Sequence, residues 1–212
     1  LDADTVLHPD WLERAVPAFS GPVVAVSGHL SERHPEASAY NWIGSLEWNA
    51  PAGECQAFGG NVLVLRSALE ASGGYDEQMV VGEDPDLSLR LRRSGGRILR
   101  LEAPMATHDL AMTRVGQYLR RSYRTGYGFA AVTARHGLAT RGFWLYECGR
   151  ILVRGGGFLG SLALGVGLAF LHPAWLLLPL LGVLLLLYPR LFRLHHFMEE
   201  SRISKPEARV YA

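Results

Sequence analysis

The stretch from Gly155 to Tyr188 contains no charged residue. That restricts its end of the chain to a membrane or a deep core. It divides at His172-Pro173 into Phe158–Leu171 and Ala174–Tyr188. Each piece holds about 14–15 residues, roughly 22 Å as helix, where a single span needs about 20 residues. Pro173 favours a break. The expectation is therefore a hairpin of two short helices, with one long, tilted, kinked span as the alternative. A hairpin buried in a soluble core is a further alternative, but the leucine runs Leu176–Leu178 and Leu184–Leu187 make such a pair hard to keep in water. Arg150 and Arg154 lie before the stretch, and Arg190 and Arg193 behind it. By the positive-inside rule both ends face the cytoplasm.

Arg114 to Arg154 holds eight arginines and one acidic residue, Glu147. Tyr118, Tyr123, Tyr127, Phe129, Phe143, Trp144 and Tyr146 are interleaved with them. Basic and aromatic residues together suit helices lying on anionic lipid; a solvated basic face is the alternative. Formal net charge is only +1, so nothing global points to a nucleic-acid partner. Cys55 and Cys148 are far apart and lie in no metal-binding spacing. They read as two reduced, inert thiols, which fits a reducing cytosolic setting.

Upstream, strands alternate with helices, which argues for an α/β domain. Pro9 to Phe19 is expected as a helix, with Trp11, Leu12, Ala15, Val16 and Phe19 on one side. Pro22 to Leu30 is expected as a buried strand, Glu36 to Asn49 as a helix, and Asn61 to Arg66 as a short strand. Ser67 to Ser72 reads as a helix closed by Gly73-Gly74. Asp86 to Ser94 is the next helix and Arg97 to Leu101 the next strand. Leu1 to Asp4 reads as the end of a buried strand running into a loop, so the chain is expected to begin inside a domain.

Two acidic motifs carry the chemistry. Asp2 and Asp4 form an Asp-x-Asp pair that can aim carboxylates at one hard cation, Mg²⁺ or Mn²⁺. Such a cation can bridge diphosphate oxygens and neutralise a nucleoside-diphosphate leaving group. Turn formation is the competing reading of the same aspartates. The second cluster is Gly82-Glu83-Asp84-Pro85-Asp86-Leu87. Acidic residues favour a helix N-terminus, and Asp84 could be an N-cap with Pro85 at the first helical position. Capping, however, needs one such residue and not three. Packed carboxylates raise one another's pKa, which suits a general base for a sugar hydroxyl.

The order LDAD, GGNVLVLRSALEASGGYDE, GEDPDLSLRLRRSGGRI, then a histidine after the next strand, resembles family 2 glycosyltransferases of the GT-A fold. The resemblance runs continuously from Leu1 to about His108. It implies the C-terminal part of a Rossmann-like GT-A domain over residues 1–112, with the nucleotide-recognising half lying before it. Amphipathic interfacial helices over 113–154, a transmembrane hairpin over 155–190 and a cytoplasmic tail over 191–212 would follow. It implies a divalent-cation set of Asp4, Asp2 and His108, with Asp4 the direct ligand and Asp2 nearer the donor. A lone histidine also has a structural reading. The resemblance further implies Asp84 as catalytic base, with Glu83 and Asp86 beside it at the acceptor pocket, and Gly59, Gly60 and Asn61 lining the acceptor side.

Processive members carry Q-x-x-R-W. Here Gln117-Tyr118-Leu119-Arg120-Arg121 lacks the tryptophan, which points to single-sugar transfer. Arg120, Arg121 and Arg124 would hold a diphosphate, or else face lipid. The expected partners are a nucleotide-sugar donor, a lipid-linked or saccharide acceptor and membrane lipids, at the cytoplasmic membrane. Two other readings compete. Asp2-Ala3-Asp4-Thr5-Val6 also fits a haloacid-dehalogenase phosphatase, which needs a downstream Lys or Arg. The one lysine is Lys205; arginines could substitute, but the GGN and GGYDE segments have no role there. An inactive membrane scaffold is the non-enzyme reading.

Overall fold

The computed structural model describes residues 1–48, 51–137, 144–184 and 186. Phe143, Tyr188, Arg190, Arg193, Lys205, the tail over 191–212 and the expected helix end at Asn49 lie outside them. The chain forms two compact units that divide between Val132 and Thr133.

The first unit is a mixed sheet with helices. Its strands are β1 (Thr5–Leu7), β2 (Val23–Glu32), β3 (Gly53–Glu54), β4 (Leu63–Val64) and β5 (Arg97–His108). Its helices are α1 (Trp11–Ala15), α2 (Ala39–Glu47), α3 (Arg66–Ala71), α4 (Glu83–Arg93) and most of α5 (Val115–His136). The order across the sheet is β1-β5-β2-β4, with β3 also on β5. β2 and β5 run parallel; the other pairs are antiparallel. β2 is a mostly buried run, and β5 buries Ile98, Ala103, Met105 and Ala106, as a central pair covered on both faces requires. One face packs Val23, Val26, Ala103 and Met105 on Trp11 and Ala15 of α1. The other packs Ala25 and Ile98 on Phe58 and on Leu87 and Leu91 of α4. Leu87 is fully buried, which contributes roughly 2–3 kcal/mol of transfer free energy.

Several expected elements change. The helix expected over Pro9–Phe19 is five residues of α1 and a 3-10 turn, Val16–Ala18. Only Trp11 and Ala15 are buried there, while Leu12 and Val16 face outward. Asn61 to Arg66 keeps two strand residues, because Arg66 already starts α3. The strand expected to end at Leu101 runs on to His108. Pro104 gives up a ladder donor, and register shifts between β2 and β5 around His29 absorb the irregularity and curl the sheet. Leu1 is exposed, and Asp2 to Asp4 form a turn that leads into β1.

The second unit is built on α6 (Leu145–Ala169), 25 residues with a mean hydropathy of 1.6 over its most apolar window. It is long and apolar enough to cross a membrane. The apolar helix expected to begin at Phe158 instead continues unbroken from Leu145. Gly155-Gly156-Gly157 does not interrupt it, as glycine is tolerated in apolar helices of this kind. The break at His172-Pro173 is present. His172 Nδ1 accepts from the Ala174 N–H at 3.1 Å, opening a 3-10 helix, Pro173–Leu177. Beyond it, Pro179 lies against Gly165 and Gly182 against Ser161 of α6.

Candidate active site

β1 pairs with the end of β5, setting Thr5 opposite His108. On the other side, Glu32 at the end of β2 is opposite the same histidine. The turn holding both aspartates therefore abuts His108. His108 Nε2 lies 3.3 Å from Asp4 Oδ1 and 3.7 Å from Asp2 Oδ2. Ligand atoms of all three residues fall within 4.8 Å of one another. The histidine side chain is 12% exposed and the carboxylates about half exposed, so the group opens to solvent on its acidic side. Two carboxylates and an imidazole converging in this way suit a hard or borderline divalent cation such as Mn²⁺. The histidine closes the strand rather than following it, which is why it is held from both flanks.

Asp2 is positioned from a distance in sequence. Asn61 Oδ1 accepts from the Asp2 N–H at 3.2 Å, and Asn61 Nδ2 donates to Asp2 Oδ2 at 3.1 Å. Gly60 lies so close that any Cβ there would run into the Asp2 carboxylate. Gly59 and Gly60 border the same cavity as Asp2. Within the Gly-Gly-Asn run expected on the acceptor side, Gly60 and Asn61 are what position Asp2.

The acidic cluster opens α4. Gly82 precedes the helix at φ 94°, in the left-handed region that disfavours a side chain. Glu83 is the first helical residue, so Asp84 is not an N-cap and Pro85 sits third. Asp84 instead accepts from the Tyr75 hydroxyl at 3.1 Å. Burial pushes the Asp84 carboxyl up to about 6; the Tyr75 hydrogen bond opposes this, and Glu83 and Asp2 push it further up. A carboxylate poised there is ionised at neutral pH yet basic enough to take a proton. Burial, then Asp84, pushes the Tyr75 phenol well above its usual value, so it stays a donor.

Asp86, expected to face substrate, does not. Its side chain is fully buried, and Arg90 grips it through Nε and Nη2, both at 2.8 Å. Arg90 also donates to the Ser72 carbonyl at 2.6 Å. Two residues of helix, about 200° of rotation, turn this acid inward, and with Arg90 it ties α4 to the end of α3.

Two cavities meet at the histidine. One, about 330 Å³, is lined by Asp2, Gly59, Gly60, Asn61, Trp48 and His108 among others. The second, about 450 Å³, is lined by Asp4, His108, Gln117, Arg120, Arg121 and Arg124 among others. Arg121 and Leu110 border both. The arginines of α5 therefore line a cavity beside the aspartates. Gln117 turns to its own backbone: its Oε1 accepts from the Thr113 and Arg114 N–H groups, each at 2.9 Å. Trp48, Tyr75 and Leu110 were not expected at the site. Trp48 packs on His108 with ring centroids 4.9 Å apart, and in sequence it reads only as one more aromatic on an amphipathic helix. Tyr75 was visible inside the GGYDE run, but nothing local tied it to Asp84.

A family model described as glycosyl transferase family group 2 matches residues 1–194. Two pre-mycofactocin glycosyltransferases of Mycobacterium tuberculosis, from strain CDC 1551 / Oshkosh and strain ATCC 25618 / H37Rv, are each 28% identical over 148 residues. The matched region covers 64% of this chain and 31% of each relative. The chain thus spans about a third of the length of the curated relatives it matches.

Proposed function

The chain belongs to glycosyl transferase family group 2, and we propose that it carries the cation-side and acceptor-side residues of an enzyme that moves a sugar from a nucleotide-sugar donor to a membrane-linked or saccharide acceptor. The observation that carries this reading is the convergence of Asp2, Asp4 and His108 within 4.8 Å, with a poised carboxyl at Asp84. The donor set fits Mn²⁺ or Mg²⁺, which would neutralise the departing diphosphate when bound.

Asp84 takes the proton from the acceptor hydroxyl as that oxygen attacks the anomeric carbon. Tyr75 fixes which carboxylate oxygen is available. Attack opposite the leaving group inverts the anomeric configuration, and one sugar is transferred per encounter. Asn61 and Gly60 orient Asp2. Arg121 and Arg124 meet the phosphate charge in their cavity. α6, long and apolar enough to span, keeps the site at the cytoplasmic face of the membrane, where a lipid-borne acceptor reaches it. The second apolar segment is proposed as the return leg of a hairpin.

The test uses the full-length protein in detergent with a panel of nucleotide sugars, following nucleoside-diphosphate release with Mn²⁺ and with EDTA. One donor should support release that EDTA abolishes. Asp84→Asn should lower turnover by about 10²–10⁴-fold while donor still binds. If folded protein with membrane lipid extract releases nothing from any donor, a catalytically inactive membrane subunit replaces this reading.

A further inference from the structure

His108 lacks the usual orienting device of a metal-binding histidine. Such a ring generally donates its second N–H to a carboxylate or carbonyl. Here Nδ1 is buried with no hydrogen-bond partner among the described residues. The ring's position therefore depends on Trp48 packing against it and on where the backbone is held.

That backbone is held by two buried polar side chains that the reaction does not use. Glu32 is 6% exposed and Asn41 1% exposed. Glu32 Oε2 accepts from the Leu110 N–H at 3.0 Å. Its Oε1 accepts from the His34 N–H and from Asn41 Nδ2, both at 3.2 Å. Asn41 Oδ1 accepts from the Met112 N–H at 2.9 Å, and Asn41 Nδ2 also donates to the His34 carbonyl at 3.0 Å. Ser38 Oγ donates to the Met112 carbonyl. The segment just past His108 is thus gripped at alternate amides. Between them Ala111 sits at φ 48°, a conformation alanine holds only when its surroundings over-determine it. Leu110, gripped by Glu32, borders both cavities.

Hydrophobic burial alone would not require this. A buried carboxylate that accepts three N–H groups is costly to desolvate and strict about geometry. It suits a segment that must be placed, not merely covered. We propose that Glu32 and Asn41 are positioning residues of the cation site. They fix the chain beyond His108, and through it the imidazole shared with Asp2 and Asp4, and they set Leu110 as the wall between the two cavities. This rests on reading Asp2, Asp4 and His108 as cation ligands.

The experiment titrates Mn²⁺ into the full-length protein in detergent. Electron paramagnetic resonance follows free Mn²⁺, and spin-echo spectra of the bound ion read nitrogen modulation from the imidazole. Glu32→Gln keeps the side chain's size but loses an acceptor. Asn41→Ala frees the Met112 amide while leaving the Glu32 bonds to His34 and Leu110. Glu54→Gln, which breaks the Arg97–Glu54 ion pair near the other end of β5, controls for general loosening of the sheet. Glu32→Gln and Asn41→Ala should each weaken Mn²⁺ binding at least about tenfold and diminish the nitrogen modulation, while Glu54→Gln changes neither. Should Glu32→Gln fail to fold, Asn41→Ala carries the test. Wild-type affinity and full modulation in the folded variants would overturn the proposal. If Asp4→Asn abolishes wild-type binding while Glu32→Gln and Asn41→Ala spare it, only this proposal falls. If wild type binds no Mn²⁺, or Asp4→Asn leaves binding intact, the cation reading falls and this proposal with it.

Discussion

Replacing Tyr75 by Phe removes one hydroxyl and tests how Asp84 is tuned. The Tyr75 hydroxyl donates to Asp84 Oδ1 at 3.1 Å, which favours the ionised carboxylate and holds its pKa down. Burial, the largest influence, pushes the other way, and the carboxyl rests at about 6. Without the donor it should rise further. A hydrogen bond to a charged group contributes about 1.5–3 kcal/mol, and about 1.4 kcal/mol corresponds to one pKa unit. Tyr75 is 44% exposed, so solvent screening reduces this to about one unit. The acid limb of kcat/KM, which reports the free enzyme, should therefore move from about pH 6 to about pH 7. At about pH 6.5 the ionised fraction would fall from about three quarters to about one quarter, a threefold loss, and above about pH 8.5 the two enzymes should converge. The assay is nucleoside-diphosphate release across pH at saturating Mn²⁺ for both proteins. A limb that stays in place, or moves to lower pH, would refute the reasoning. So would a loss that persists undiminished at alkaline pH, since Tyr75 would then act on something other than the Asp84 proton.

Asp84→Asn should make the protein more stable near neutral pH while inactivating it. The folded carboxyl titrates above its usual 3.8, so its ionisation opposes folding. That penalty is absent below about pH 4, grows as pH rises through about 6, and reaches roughly 1–3 kcal/mol. Thermal melts at acid and neutral pH check it, and equal shifts at both would contradict it. Asp86→Ala strands Arg90 and should cost about 3 kcal/mol or more in chemical denaturation. Any folded Asp86→Ala protein should keep its donor KM, whereas a substrate-binding role would raise it. Gly60→Ala drives a methyl into the Asp2 carboxylate, so the Mn²⁺ concentration giving half-maximal release should rise about tenfold with little change in melting temperature.

Much of the site was legible because its parts are local. Asp-x-Asp, Glu-Asp and Gly-Gly-Asn are short runs, each with other uses, and it was their order along the chain that carried the resemblance that the family match bears out. The charge-free stretch was legible for the same reason, since composition alone sets how apolar a helix is. Three things were not local. Asp84 and Asp86 are two residues apart and of the same residue type, yet the turn of α4 sends one to Tyr75 and the other into the core on Arg90. His108 meets Asp4 only because β1 runs antiparallel to β5, in a register that sets Thr5 opposite it. Glu32 and Asn41 look like an ordinary surface acid and amide, and become a clamp only when β2, α2 and the chain beyond β5 close around them. The sequence by itself determined which groups were available, because chemistry belongs to residue type and short spacing. Only the tertiary structure decided which groups share a site, because pairing register and helical phase are settled by burying the whole sheet at once.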